Sequence, residues 1–168
     1  MKLNKIIFLD FDGVLNTARW HCEAYGDEQK DEYGDAFDPE AVTNLAKIIE
    51  ETGADIVVSS SWKFMGLQTM REMWKDRNLP GKIVGITPNA VSDEFLLNTD
   101  LDNVDIFAIK GQEIKEWLML QGKNVAHYVI FDDMNDFLHE QGNHFVWINP
   151  EVGITTDNAI HAINILNQ

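Results

Sequence analysis

A chain of 168 residues that is 45% hydrophobic can bury roughly 70% of its unfolded surface as one compact domain, and leaves little room for a second. Its formal net charge of −15 disfavours non-specific attraction to nucleic-acid phosphates, so a polyanion would need a local basic patch. The one cysteine, Cys22, excludes an internal disulfide and a cysteine zinc site, and no apolar run approaches the ~20 residues of a membrane helix.

Met1-Lys2-Leu3-Asn4 leads into a core strand rather than a cleavable leader, so a soluble, cytoplasmic protein without membrane association is expected. That first strand, Lys5–Asp10, is a near-continuous apolar run of the kind buried in a parallel sheet. It ends in Asp10-Phe11-Asp12-Gly13. Ligands of open α/β sheets sit beyond the carboxyl ends of such strands, which aims Asp10 and Asp12 at a crevice. Side-chain alternation turns Phe11 the other way, and Gly13 lets the backbone bend and approach a ligand closely.

Residues 17–37 fit neither strand nor helix. They hold Arg19, Trp20, His21, Tyr25 and Tyr33 among acids and glycines, a composition suited to a small lid or substrate loop. Acids gather in Glu23 to Asp38, and again in Asp93 to Asp105, as solvated loops. Asp38-Pro39-Glu40 caps and opens a helix that stops at Gly53, with Val42, Leu45 and Ile49 on one face. A second strand, Asp55–Ser59, delivers Ser59-Ser60-Ser61-Trp62, hydroxyls and turn amides suited to phosphate oxygens. The helix expected over Phe64–Arg77 carries Leu67, Met70 and Trp74, a stripe that reads as core rather than a ligand box.

Strand Lys82–Ile86 follows, then a second irregular stretch from Pro88 to Phe107. Lys110 opens a helix running from Gly111 to Gln121, so an ammonium and free helix amides point at one anion, with Ile114, Trp117 and Leu118 inward. Strand His127–Asp132 ends in Asp132-Asp133, with Asp136 one turn on and read as a helix acid. Strand His144–Ile148 and a helix over Asp157–Leu166 complete the chain. The alternation predicts a single α/β domain over residues 1–168, a three-layer α/β/α Rossmann-like fold with a five-stranded parallel sheet. The histidines show no pair at metal-ligand spacing, and His127 and His144 read as structural.

The order of acids, hydroxyl, lysine and acids resembles the haloacid dehalogenase superfamily of phosphohydrolases. Its four motifs match Asp10/Asp12, the Ser59–Ser61 run, Lys110 and Asp132/Asp133, over nearly the whole chain. The Ser-Ser-Ser-Trp run, the Lys-Gly-x-Glu-Ile-x-x-Trp-Leu helix and the Asn149–Thr155 ending are similar to the HAD domain of Swiss Army Knife RNA repair proteins. That resemblance implies a HAD-like fold with a minimal cap over 17–37, and tilts the substrate toward a nucleotide or polynucleotide phosphate. Where that subfamily usually has arginine this chain has Lys110, which keeps the charge and loses bidentate geometry.

Chemistry leads to the same assignments. A phosphomonoester yields to a covalent step and a proton donor, so Asp10 is the candidate nucleophile forming an aspartyl-phosphate and Asp12 the candidate acid and base. Like charges about 4 Å apart repel by about 4 kcal/mol at an effective dielectric near 20, which calls for a divalent cation. All-oxygen ligands suit magnesium, held by Asp10, the Asp12 carbonyl and Asp132, with Asp133 either binding through water or orienting Lys110. Ser60, with Ser59 as the alternate register, and Lys110 would bind the transferring phosphoryl group. Ser61 reads either as a further phosphate contact or as the cap of the next helix. Arg19, Trp20 and Trp62 are candidates to stack on a base, and Trp62 is equally a core anchor below the serines. Two rival readings stand beside this one: a receiver-like phospho-acceptor, which would hold its phosphoryl group without turnover, and a catalytically idle binding module.

Overall fold

The computed structural model describes residues 4–23, 30–89 and 109–168. Tyr25, the acids from Asp93 to Asp105 and most of the Pro88–Phe107 stretch lie outside these residues. The chain forms β1 (Asn4–Leu9), α1 (Ala18–Glu23), β2 (Lys30–Asp31), β3 (Gly34–Asp35), α2 (Pro39–Thr52), β4 (Asp55–Val58), α3 (Leu67–Asp76) and β5 (Ile83–Ile86). After the second undescribed segment come α4 (Ile109–Gln121), β6 (Val125–Asp132), β7 (Phe145–Trp147) and α5 (Thr156–Leu166). Five strands make one parallel sheet in the order β5-β4-β1-β6-β7, with helices on both faces.

β1 is central because its side chains are apolar on both faces. Ile7 and Leu9 join the core with Leu45, Ile48, Met70, Trp74 and Ile165, and so face α2, α3 and α5. Ile6 and Phe8 face the other way, onto Ile114 and Trp117 of α4. Phe11 continues the first set, fully buried, so alternation carries Asp10 to the α4 side. The register is level: Leu9 lies opposite Val58 and Phe131, Val58 opposite Ile86, and Phe131 opposite Val146.

Helix α2 obeys its sequence punctuation. Asp38 accepts the Glu40 N–H, Pro39 occupies the first turn, and left-handed Gly53 donates its N–H to the Ile49 carbonyl. The helix expected from Phe64 begins later. Ser61–Met65 forms a 3-10 turn instead, Gly66 breaks it at φ 90°, and α3 starts at Leu67. The cap of that turn is Ser60, whose hydroxyl accepts the Trp62 N–H, and Ser61 is the first residue inside it. Residues 133–138 are not helical, so Asp136 is no helix acid; its carbonyl accepts the Gly111 N–H at 3.1 Å. His144 stacks on Tyr128 with ring centroids 3.9 Å apart.

Residues 17–37 contain α1 and an antiparallel hairpin of β2 and β3. The hairpin is docked through Arg77, which donates to both Asp31 carboxylate oxygens and to the carbonyls of Gly34 and Asp35. The guanidinium lies 4.7 Å from the Phe37 ring centroid, and hydrogen bonding to Arg77 holds the Asp31 carboxyl below its ordinary range.

Gly153 shows where a glycine is required. At φ 69° it brings its Cα so close to the Asp10–Thr17 segment that a Cβ would lie 2.6 Å from the Val14 carbonyl oxygen. Gly53, at φ 65°, has nothing within 4 Å. Left-handed strain alone costs about 1 kcal/mol, or roughly 2–4 °C of Tm in a chain this size. Gly53→Ala should show about that loss in thermal denaturation and Gly153→Ala at least twice as much; equal losses would refute the close-approach account.

Candidate active site

Backbone hydrogen bonds carry the sheet one residue past the strands. Asp10 N–H donates to Phe131 O at 3.1 Å, Ser59 N–H to Leu9 O at 2.9 Å and Thr87 N–H to Val58 O at 3.0 Å. With Asp132 paired to Trp147, this register places Thr87, Ser59, Asp10, Asp132 and Trp147 in one row across the carboxyl ends of all five strands. By alternation the row belongs to the face covered by α4, whose first turn carries Lys110.

Lys110 reaches into that row. Its Nζ lies 2.7 Å from Asp10 Oδ2 and 2.5 Å from Asp132 Oδ2. The remaining oxygens are bound locally, Asp10 Oδ1 by the Phe11 N–H and Asp132 Oδ1 by the Met134 N–H, both at 2.8 Å. Asp10, Asp132 and Asp133 each present a carboxylate oxygen within 4.8 Å of the others. Burial, reinforced by the charge of Asp10 and opposed by Lys110, pushes the Asp132 carboxyl up to about 7, and burial with Asp10 also raises Asp133. Burial disfavours charge on Lys110, but the two carboxylates outweigh it and raise its pKa. Acids that resist ionisation when crowded, with only oxygen donors and one ammonium among them, fit a hard divalent cation. The cluster could therefore hold a metal ion. Lys110 is oriented by Asp10 and Asp132 rather than by Asp133.

Asp12 leaves the row. It is exposed, and its carboxylate accepts Asn16 Nδ2 at 2.6 Å and Trp62 Nε1 at 3.2 Å. Trp62 takes the place of a core anchor, its ring edge-on against Phe11, 5.6 Å away, while its N–H holds Asp12. Gly13, at φ 73°, makes a close approach to protein rather than to open space, since a Cβ there would lie 2.5 Å from Asp133 Oδ2 and 3.0 Å from Pro150 Cβ.

Two of the three serines are buried, and they differ. Ser60 Oγ caps the 3-10 turn, whereas Ser59 Oγ is buried beside Asp10 and has no hydrogen-bond partner among the described residues. Ser61 is exposed. Arg19, in α1, reaches the start of α2, its guanidinium 2.7 Å from Glu40 and 3.5 Å from Asp38. No motif marks Asn16, four residues after Asp12, or Trp147, which is 54% exposed yet donates its indole N–H to the Asp133 carbonyl at 2.9 Å. Lys63 and Glu113 form a buried ion pair that no spacing rule joins.

Among the described residues no helix is long and apolar enough to cross a membrane. Residues 6–159 match the family model of the HAD domain in Swiss Army Knife RNA repair proteins. No curated protein matches the chain.

The raised Asp132 pKa makes a prediction about the metal-free protein. The folded state holds a proton on Asp132 up to about pH 7, whereas the unfolded chain releases it near 3.8. Folding therefore binds the proton between these values, and this contribution to stability is lost as pH rises through about 7. Asp132→Asn, a permanently neutral isostere, should match wild type in Tm near pH 4 and surpass it progressively toward pH 8 in chelator; parallel curves would refute the assignment.

Proposed function

Because the chain belongs to the family of HAD domains found in Swiss Army Knife RNA repair proteins, we propose that it is a phosphohydrolase, a magnesium-dependent phosphomonoesterase working through an aspartyl-phosphate on Asp10. The observation that carries this reading is the Asp10 carboxylate, buried at the head of the central strand between Lys110, the Asp132/Asp133 pair and the Ser59 hydroxyl, which has no partner among the described residues. Such a place offers a nucleophile, a cation site and phosphoryl-oxygen donors around one point.

In this mechanism Lys110 and Ser59 bind the phosphoryl oxygens, with Ser60 capping the turn that follows Ser59, and Ser61 at the rim. Asp10 attacks phosphorus, the bond to the ester oxygen breaks, and Asp12 gives that oxygen a proton. Asp12 then takes a proton from water, the resulting hydroxide attacks phosphorus, and the Asp10–phosphorus bond breaks to release phosphate. Trp62 and Asn16 keep the Asp12 carboxyl turned toward the departing oxygen. Asp10, Asp132 and Asp133, with the Asp12 carbonyl, would hold magnesium, which would neutralise the crowded acids and stabilise the charge on the transferring phosphoryl group.

Residues 17–37 serve as a small cap on a single domain, leaving the site open to the phosphorylated end of a nucleotide or oligonucleotide. Support for a base-bearing substrate comes from the exposed Trp147 ring beside Asp133 and from the family's RNA repair proteins. Arg19, paired with Glu40, serves the cap rather than a base. The proposed compartment is the cytoplasm.

Asp10→Asn should abolish magnesium-dependent phosphate release from an aryl phosphate, and undiminished release would refute the nucleophile. Asp12→Asn should lower kcat by roughly 10²–10⁴-fold on alkyl phosphates and much less on aryl phosphates, whose leaving groups need no proton. Equal losses on both would remove its acid role. A release assay across nucleotides, 3′- and 5′-phosphorylated oligonucleotides, sugar phosphates and phosphopeptides should show the highest kcat/KM on a base-bearing ester.

A further inference from the structure

Lys63 and Glu113 are each only 7% exposed, and their charged atoms meet at 2.5 Å. Lys63 Nζ also lies 3.2 Å from Thr87 Oγ1 and 3.3 Å from the Pro88 carbonyl, so each of its three N–H donors has an acceptor within reach. That saturation excludes Lys63 as a direct phosphate ligand. Stability does not account for the pair either, because desolvation offsets the attraction of a buried ion pair, and an apolar pair of similar volume usually serves as well or better.

Its place in the fold is more telling. Lys63 sits in the 3-10 turn directly after the serines and donates its backbone N–H to the Ser60 carbonyl at 3.0 Å. Glu113 sits on α4 three residues after Lys110, one turn along the helix. The ion pair therefore joins the turn that follows Ser59 to the helical turn that carries Lys110, and through Thr87 and Pro88 it also holds the end of β5.

We infer that Lys63 and Glu113 are positioning residues, a strut that sets the separation of the Ser59 hydroxyl and the Lys110 ammonium and so the width of the phosphoryl-binding site. The inference rests on the phosphatase reading above. A phosphoryl group spreads charge over oxygens at fixed spacing, so donors fixed on two different elements bind it well only when those elements cannot drift apart. A misplacement near 1 Å is enough to cost about 10²-fold.

The test separates positioning from folding by replacing the whole pair. Lys63→Met with Glu113→Leu keeps volume and removes both buried charges together, so the double variant should retain its circular dichroism and a Tm near wild type. Its affinity for inorganic phosphate, measured by calorimetry with magnesium present, should nevertheless fall by roughly 10–100-fold, and kcat on an aryl phosphate by a similar factor. Glu113→Gln, which keeps a hydrogen-bond acceptor for Lys63, should lose less than the double variant in both readouts. A folded double variant with wild-type phosphate affinity and kcat would overturn the strut. Should the double variant not fold, Glu113→Gln decides: unchanged phosphate affinity overturns the inference and a partial loss supports it. Failure of wild type to hydrolyse any phosphate ester while still binding phosphate would overturn the phosphatase reading and leave the strut to be judged by affinity alone.

Discussion

Three carboxylates crowded at the carboxyl edge of a parallel sheet impose the constraint around which this molecule is arranged. Asp10 and Asp132 are buried on neighbouring strands, and Asp133 follows directly. Such a cluster is unfavourable by itself, and burial pushes Asp132 up to about 7. The sheet tolerates it because α4 crosses the same face and supplies Lys110, and because the Phe11 and Met134 N–H groups donate to the oxygens that Lys110 does not reach. A compensating cation and local amides are what keep buried acids from unfolding a core.

Alternation along the central strand sends the neighbouring residues to different tasks. Phe11 turns into the aromatic group of Phe37, Trp62 and Trp74, which fastens the segment after β1 to the opposite face. Asp12, one residue on, is thereby lifted out of the acid cluster and meets the indole N–H of the same Trp62. A core contact and a site contact thus share one side chain. The docked β2–β3 hairpin closes over this aromatic group through Arg77, so the hairpin is part of the packing that holds Trp62 against Asp12.

The sheet was readable from the sequence because buried parallel strands are short apolar runs between polar turns, and all five stand where such runs occur. Asp10, Lys110 and Asp132 were readable because the ends of strands and the start of a helix in this fold converge. The 3-10 turn after the serines was not, because its boundary depends on a hydroxyl cap at Ser60 and on the positive φ of Gly66, which periodicity does not register. Placing Ser59 in the row of strand ends and Ser60 at the cap of the turn required the register with Leu9, and the Lys63–Glu113 pair required the packing of two elements 50 residues apart. The β2–β3 hairpin is too short to leave a pattern of its own and is held by side-chain bonds to α3 and Arg77.

The acidity of the chain bears on what the proposed phosphatase would accept. Cations near the site are already engaged with carboxylates: Lys63 with Glu113, Arg19 with Glu40, Arg77 with Asp31 and Lys110 with Asp10 and Asp132. Arg71 is turned to the carbonyls of Ile83 and Val84, at the start of β5 and away from the row of strand ends. A nucleic-acid strand tracked along its backbone needs successive phosphates matched by cations, and each such contact adds to the affinity. A single phosphate needs only the local donors and the metal, because repulsion from the rest of the surface is screened beyond about 8 Å at physiological salt. For the proposed phosphatase, this charge distribution suits a single terminal phosphate better than an internal stretch of polynucleotide, and the exposed Trp147 is the aromatic surface beside the acids.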